Sequence, residues 1–125
     1  MILHDNEIAD LRKGDTITSP ALPHGALLDT FDFVVMNPPF STKSWSNGLE
    51  NGYGRFEFGI PPAKNGDYAF LLHAVKSLKS TGKAAVILPH GVLFRGNAEA
   101  TIRKGLLRRG YINLDPRQGW LRYSP

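Results

Sequence analysis

The densest chemistry in the sequence lies in four consecutive residues, Asn37-Pro38-Pro39-Phe40. Neither proline has a backbone N–H, so the pair fixes the chain and leaves two carbonyls without a ladder partner. The Asn37 amide adds an acceptor and donors within a few ångströms. Such acceptors can hold an amino group. Phe40 offers a face on which a flat ring can stack, and an amino group on a flat ring describes a nucleobase turned out of its duplex. The same residues also make an ordinary strand end followed by a turn.

Other candidates are more scattered. Asp15, after Gly14, reads as a turn residue. His90 and Arg95 flank Gly91 after an apolar run, where they could meet a phosphate or a cofactor, whereas His73 falls on the polar side of a helical pattern and reads as solvated. Arg103, Lys104, Arg108 and Arg109 concentrate the basic charge, since residues 101–125 sum to +5 and the chain as a whole to +4. That cluster is either a phosphate-facing patch or a solvated helix face whose cations suit the helix dipole. There is no cysteine, and no His, Asp and Glu cluster has metal-ligand spacing, so no metal site is expected. A chain without cysteine suits a reducing cytoplasm.

These residues need elements to position them. A chain of 125 residues with 42% apolar content fits one domain. Its apolar runs, Phe33 to Met36 and Ala84 to Leu88, are far shorter than the roughly 20 residues that cross a bilayer, and no signal sequence opens the chain, so no membrane association is expected. Ile8 to Arg12 reads as a short strand and Ser19 to Gly25 as a loop. Phe31 to Met36 reads as a strand buried on both faces, stopped by Pro38-Pro39. Residues 41–66 show no period and hold five glycines, three asparagines and the aromatics Trp45, Tyr53, Phe56 and Phe58, which predicts a weakly ordered, lid-like loop. Asp67 is placed to cap a helix carrying Tyr68, Leu71, Leu72, Val75 and Leu78 on one face, with Gly82 as its stop. A second strand, Ala84 to Leu88, ends at Pro89. Asn97 then caps a helix to Arg109 that stops at Gly110, and Tyr111 to Leu114 begins a third strand. The order strand, helix, strand, helix, strand predicts an α/β fold, half of an open doubly wound, Rossmann-like sheet, whose ligand sites lie at the carboxyl ends of the strands. Asn37 to Phe40 stands at such an end.

Asn37-Pro38-Pro39-Phe40 after this apolar strand resembles the catalytic motif of the DNA methyltransferases that modify the exocyclic amine of adenine. The resemblance extends through Gly66-Asp67-Tyr68-Ala69-Phe70-Leu71-Leu72-His73 and Gly82 to Gly96, with Gly14-Asp15-Thr16 in the early stretch Ile8 to Pro20. Together these resemble the methylation subunit of type I restriction-modification systems over about residues 1–112. The resemblance implies an S-adenosylmethionine-dependent fold. It also implies that Asn37 and Pro38 accept hydrogen bonds from the target amine, that Pro39 fixes the turn and that Phe40 stacks on the base. Asp15 would meet the cofactor's adenine, with Asn37 also beside the cofactor, and the implied partners are DNA and the specificity and restriction subunits.

The family's glycine-rich motif, which cradles the methionine part of the cofactor, normally precedes this region, and no residue before Ile8 matches it. Residues 115–125 diverge from the family pattern as well. The sequence therefore reads as a catalytic-half fragment with weak or absent cofactor binding and no methyl transfer of its own. A noncatalytic binding module that keeps the base pocket and basic patch is the alternative. An unpaired edge on the strand Phe31 to Met36 predicts self-association.

Overall fold

The computed structural model of the chain describes residues 12–20, 23–24, 27–50, 52–115 and 120–123. Strands β1 (Pro23–His24) and β2 (Leu27–Leu28) pair antiparallel, within and just after the stretch read as loop. They lead to β3 (Phe31–Met36), helix α1 (Asp67–Lys76), β4 (Leu78–Val86), a 3-10 turn (His90–Leu93) and α2 (Ala98–Arg108). The antiparallel pair β5 (Ile112–Asp115) and β6 (Trp120–Tyr123) follows. The expected strand at Ile8 to Arg12 falls outside the described residues, apart from Arg12, which lies in neither helix nor strand.

β3 and β4 are the parallel pair at the centre of the α/β arrangement. Val34 stands opposite Ala84, Val35 opposite Ala85 and Met36 opposite Val86, and the Ile87 N–H donates to the Met36 carbonyl at 3.0 Å. A parallel connection needs a crossover, and residues 37–77 supply it through the loop and α1. Alternation along the strands sends Val34, Met36, Ala84 and Val86 inward. On the inner side Tyr68, Leu71, Leu72, Val92, Ile102 and Leu106 form a core, with Val86 and Leu88 packed against it. A second cluster joins Ile17, Trp45 and Ala69.

Four expectations change. β3 is covered on one face only: Phe33 is 75% exposed and Val35 84%. Helix α1 stops earlier than the spacing of Leu78 suggested, because Ser77 terminates it, its N–H donating to the His73 and Ala74 carbonyls and its hydroxyl to the His73 carbonyl. Leu78 therefore opens β4, and Gly82 is a strand residue. A Cβ at Gly82 would lie 2.9 Å from the Phe31 carbonyl oxygen and 3.1 Å from that of Asp32, where the register between the strands shifts. The third strand, β5, pairs antiparallel with β6 from the divergent tail and does not extend the parallel sheet among the described residues.

Among its described residues the loop predicted to be weakly ordered, residues 41–66, has neither helix nor strand, and its ends are fastened together. The Ser44 N–H donates to the Ala63 carbonyl at 2.8 Å and the Gly66 N–H to the Thr42 carbonyl at 2.9 Å. Trp45 is buried and donates from Nε1 to the Pro62 carbonyl at 2.8 Å. Phe58 packs so closely on α2 that a Cβ at Gly105 would approach its ring to 2.6 Å.

Candidate active site at the carboxyl ends of the parallel strands

The two strands end side by side, so the loop after β3, which holds Asn37 to Phe40, and the loop after β4, which holds His90 to Arg95, emerge from one edge of the sheet. In the first loop Asn37, Pro39 and Phe40 are exposed and Pro38 is buried, which anchors the motif by one ring and leaves the rest at the surface. Phe40 is 52% exposed. The Thr42 hydroxyl donates to the Pro39 carbonyl at 3.4 Å, and Ser41, which follows Phe40, takes a left-handed φ of 52°.

Asp67 holds this bend. Its carboxylate is fully buried at the start of α1, with Oδ1 accepting from the Ser41 N–H at 2.8 Å and Oδ2 from Arg95 Nη1 at 3.0 Å. It makes no side-chain cap, so the expected capping role is corrected: Gly66 occupies the cap position, and the carboxylate is used across the loops. Arg95 also meets Glu99, which is buried, at 3.4 Å. Burial works against the guanidinium's charge, but the bond to Asp67 and the negative charges of Glu99 and Asp67 outweigh it and raise the Arg95 pKa.

Arg95, expected to meet phosphate, is thus turned inward onto two carboxylates. A Cβ at Gly91 would lie 2.6 Å from its Nε, so only glycine lets the side chain fold over the loop in this way. Arg103 is committed inside as well, donating to the carbonyls of Val92 at 3.1 Å and Arg95 at 2.9 Å. Tyr68 donates its hydroxyl to the same Val92 carbonyl. Lys104 and Arg108 stay exposed on α2, and exposed Arg109 has its guanidinium carbon 5.7 Å from the centre of the Phe58 ring. His90 is exposed, its ring edge-on to that of Phe94 at 5.8 Å. Of the basic residues singled out by the sequence, His90, Lys104, Arg108 and Arg109 are therefore at the surface, and Arg95 and Arg103 serve the interior.

Asp15 lies on an exposed turn and accepts at Oδ1 from the N–H groups of Ile17 at 3.0 Å and Thr18 at 3.1 Å. The Thr18 bond is the main reason that its pKa lies below the ordinary carboxylate range, so Asp15 stays ionised. The turn is fixed from behind by Arg55, a residue in the long loop that carried no signal of spacing in the sequence. Arg55 is 1% exposed and donates to the carbonyls of Ile17 at 2.7 Å, Gly52 at 2.8 Å and Thr16 at 3.4 Å. Its Nη1 is 3.2 Å from His73 Nδ1. A guanidinium can only donate, so that nitrogen accepts and the imidazole is neutral. Burial and the Arg55 charge lower the His73 pKa to about 4, which corrects its reading as a solvated residue. Among the described residues no group of three His, Asp or Glu side chains could hold a metal.

A family model for N-6 DNA methylases matches residues 1–114. The chain belongs to the N-6 DNA methylase family. This methylase chain is 32% identical, over 90% of its length, to the methylase subunit of the type I restriction enzyme MpnII from Mycoplasma pneumoniae, and covers 23% of that protein. It is 34% identical over 66% of its length to the MjaIX methylase subunit of Methanocaldococcus jannaschii, covering 16% of it. Among solved structures, the methyltransferase subunit of a type I restriction-modification system from Streptococcus thermophilus matches 79% of the chain with a TM-score of 0.65 and 41% identity. The chain spans 21% of that subunit. The methylase fold expected from the sequence is thereby established, and the chain spans about a fifth of the length of these relatives.

Proposed function

We propose that this chain forms the target-amine site of a DNA adenine-N6 methyltransferase, as part of the modification subunit of a type I restriction-modification system. The observation that carries the reading is the presentation of Asn37 and Phe40 at the surface where β3 ends, on a loop tied down just past Phe40 by the Ser41 to Asp67 bond. Phe40 stacks on an adenine turned out of its duplex, and the Asn37 side-chain oxygen and the Pro38 carbonyl accept from its amine. Both acceptors direct the nitrogen lone pair and stabilise the positive charge that develops on that nitrogen. Pro39 fixes the turn between them.

S-adenosylmethionine, when bound, supplies the electrophilic methyl group. Asp15 suits a cofactor carrying an adenine ring, because its turn keeps it an exposed, ionised acceptor, and by the family resemblance Asn37 contacts the same cofactor. His90, Lys104, Arg108 and Arg109 are the surface cations available to DNA phosphates. In this reading the partners are DNA and the specificity and restriction subunits, and the work is done in the cytoplasm, where the DNA is. Among the described residues no helix is long and apolar enough to cross a membrane.

The test compares two gapped duplexes, one presenting an unpaired adenine and the other a purine nucleotide that lacks the exocyclic amine. The wild-type chain should prefer adenine by about tenfold or more, as one or two added hydrogen bonds predict, and Asn37→Ala should cut the preference severalfold, leaving only the bond to the Pro38 carbonyl. Equal affinity of the wild type for both duplexes would remove the amine-binding role from Asn37.

A further inference from the structure

We infer that Asp67 is a positioning residue for base binding: its buried carboxylate ties the loop after β3 to the loop after β4 and thereby fixes Phe40. This rests on the functional reading above and adds to it a residue that makes no contact with the base. Three observations carry the inference.

First, the Asp67 carboxylate is fully buried, and each of its oxygens goes to a different loop: Oδ1 to the Ser41 N–H, immediately after Phe40, and Oδ2 to Arg95. A carboxylate committed to helix capping would bond the N–H groups of its own first turn, and this one does not. Second, Ser41 has a left-handed φ of 52°, a conformation that a residue with a side chain seldom adopts unless its surroundings hold it there. The Asp67 bond ends on the N–H of that residue. Third, the far end of the tie is itself rigid. Arg95 is gripped by Glu99 through its guanidinium and by Arg103 through its carbonyl, and Arg103 reaches from α2. The motif loop is therefore referenced to both helices, although Phe40 itself is half exposed and has little packing of its own. A stacking platform with few contacts needs its backbone fixed from elsewhere if it is to meet a base in one orientation.

The experiment measures amide hydrogen exchange of the 125-residue chain by NMR together with the preference for adenine over the amine-lacking purine. Asp67→Ala should speed exchange at Ser41 at least tenfold and cut the adenine preference severalfold, while the amides of Ala84, Ala85 and Val86 keep wild-type protection. Asp67→Asn, whose amide keeps one acceptor oxygen for Ser41 but turns a donor toward Arg95, should recover Ser41 protection and the preference only in part. Should Asp67→Ala fail to fold, Asp67→Ser takes its place, since its hydroxyl is too short to reach Ser41. Unchanged Ser41 exchange in a folded variant would overturn the tie. Faster exchange with the adenine preference intact would overturn its positioning role. A wild type that shows no adenine preference would instead overturn the base-binding reading, and the positioning role with it, while Ser41 exchange would still report whether the tie exists.

Discussion

Phe40 has about half of its surface in solvent, so its removal should scarcely affect folding. Stacking on a base is worth about 1–3 kcal/mol, and Phe40→Ala should accordingly weaken binding of a duplex with an unpaired adenine by roughly 5- to 150-fold with the urea midpoint unmoved. A large drop in stability would show that the ring belongs to the core. His73 gives the opposite kind of prediction. Its folded pKa, lowered to about 4, lies below the ordinary value of 6.5, so the unfolded chain binds the extra proton first. The stability of the neutral, buried form is complete above pH 6.5 and is lost as the pH falls toward 4, by up to about 3 kcal/mol. Urea unfolding at pH 7.5 and 4.5 should show this loss, and His73→Gln should flatten it; parallel pH profiles for the two proteins would exclude His73 as its source. Asn37 to Phe40 could be read from the sequence because two prolines and an amide carry their chemistry in their covalent structure. Asp67, Arg55 and His73 could not, because what they do depends on partners 18 to 39 residues away in the chain.

At the level of elements, β3 and α2 were legible, since each is bounded by residues that stop it by themselves: Pro38 after β3, and Gly110, with its φ of 71°, after α2. The boundary between α1 and β4 was not. Leu78 continues the apolar spacing of the helix, and only the Ser77 bonds and the pairing with β3 decide that it starts a strand. Gly82, which looks like a helix stop, is instead the point where β4 passes close to the Phe31 and Asp32 carbonyls. Gly82→Ala should therefore cost about 1–3 kcal/mol, as overpacking against backbone does. Denaturant unfolding checks this, and a cost near zero would mean that the register irregularity absorbs the methyl group. The bonds that fasten the ends of the long loop, from Ser44 to Ala63 and from Gly66 to Thr42, were not legible for a related reason: they leave no periodic trace.

For the molecule as a whole, the outer face of the parallel pair is the conspicuous feature. Phe33 and Val35 of β3 and Ile87, just past the end of β4, are 75%, 84% and 58% exposed on one side of the pair. The sequence pointed to an unpaired strand edge, and the structure adds an uncovered apolar face, which also favours association. The chain should self-associate at micromolar concentration, and Phe33→Ser with Val35→Thr should return it toward the 13.8 kDa monomer without altering the far-ultraviolet circular dichroism. Light scattering that reads a monomer for the wild type at every concentration would count against this.

The parallel pairing also sets a timetable for synthesis. β3 leaves the ribosome about fifty residues before the end of its partner β4, and at about 5–20 residues per second that interval lasts roughly 3–10 seconds. Throughout it, Phe31 to Met36 is an apolar segment with no strand to pair with, and hairpin formation, which needs only microseconds, cannot shelter it because the partner has not yet been made. The nascent chain is therefore a natural client for a ribosome-associated chaperone that grips short apolar segments, and its yield should fall in cells that lack one.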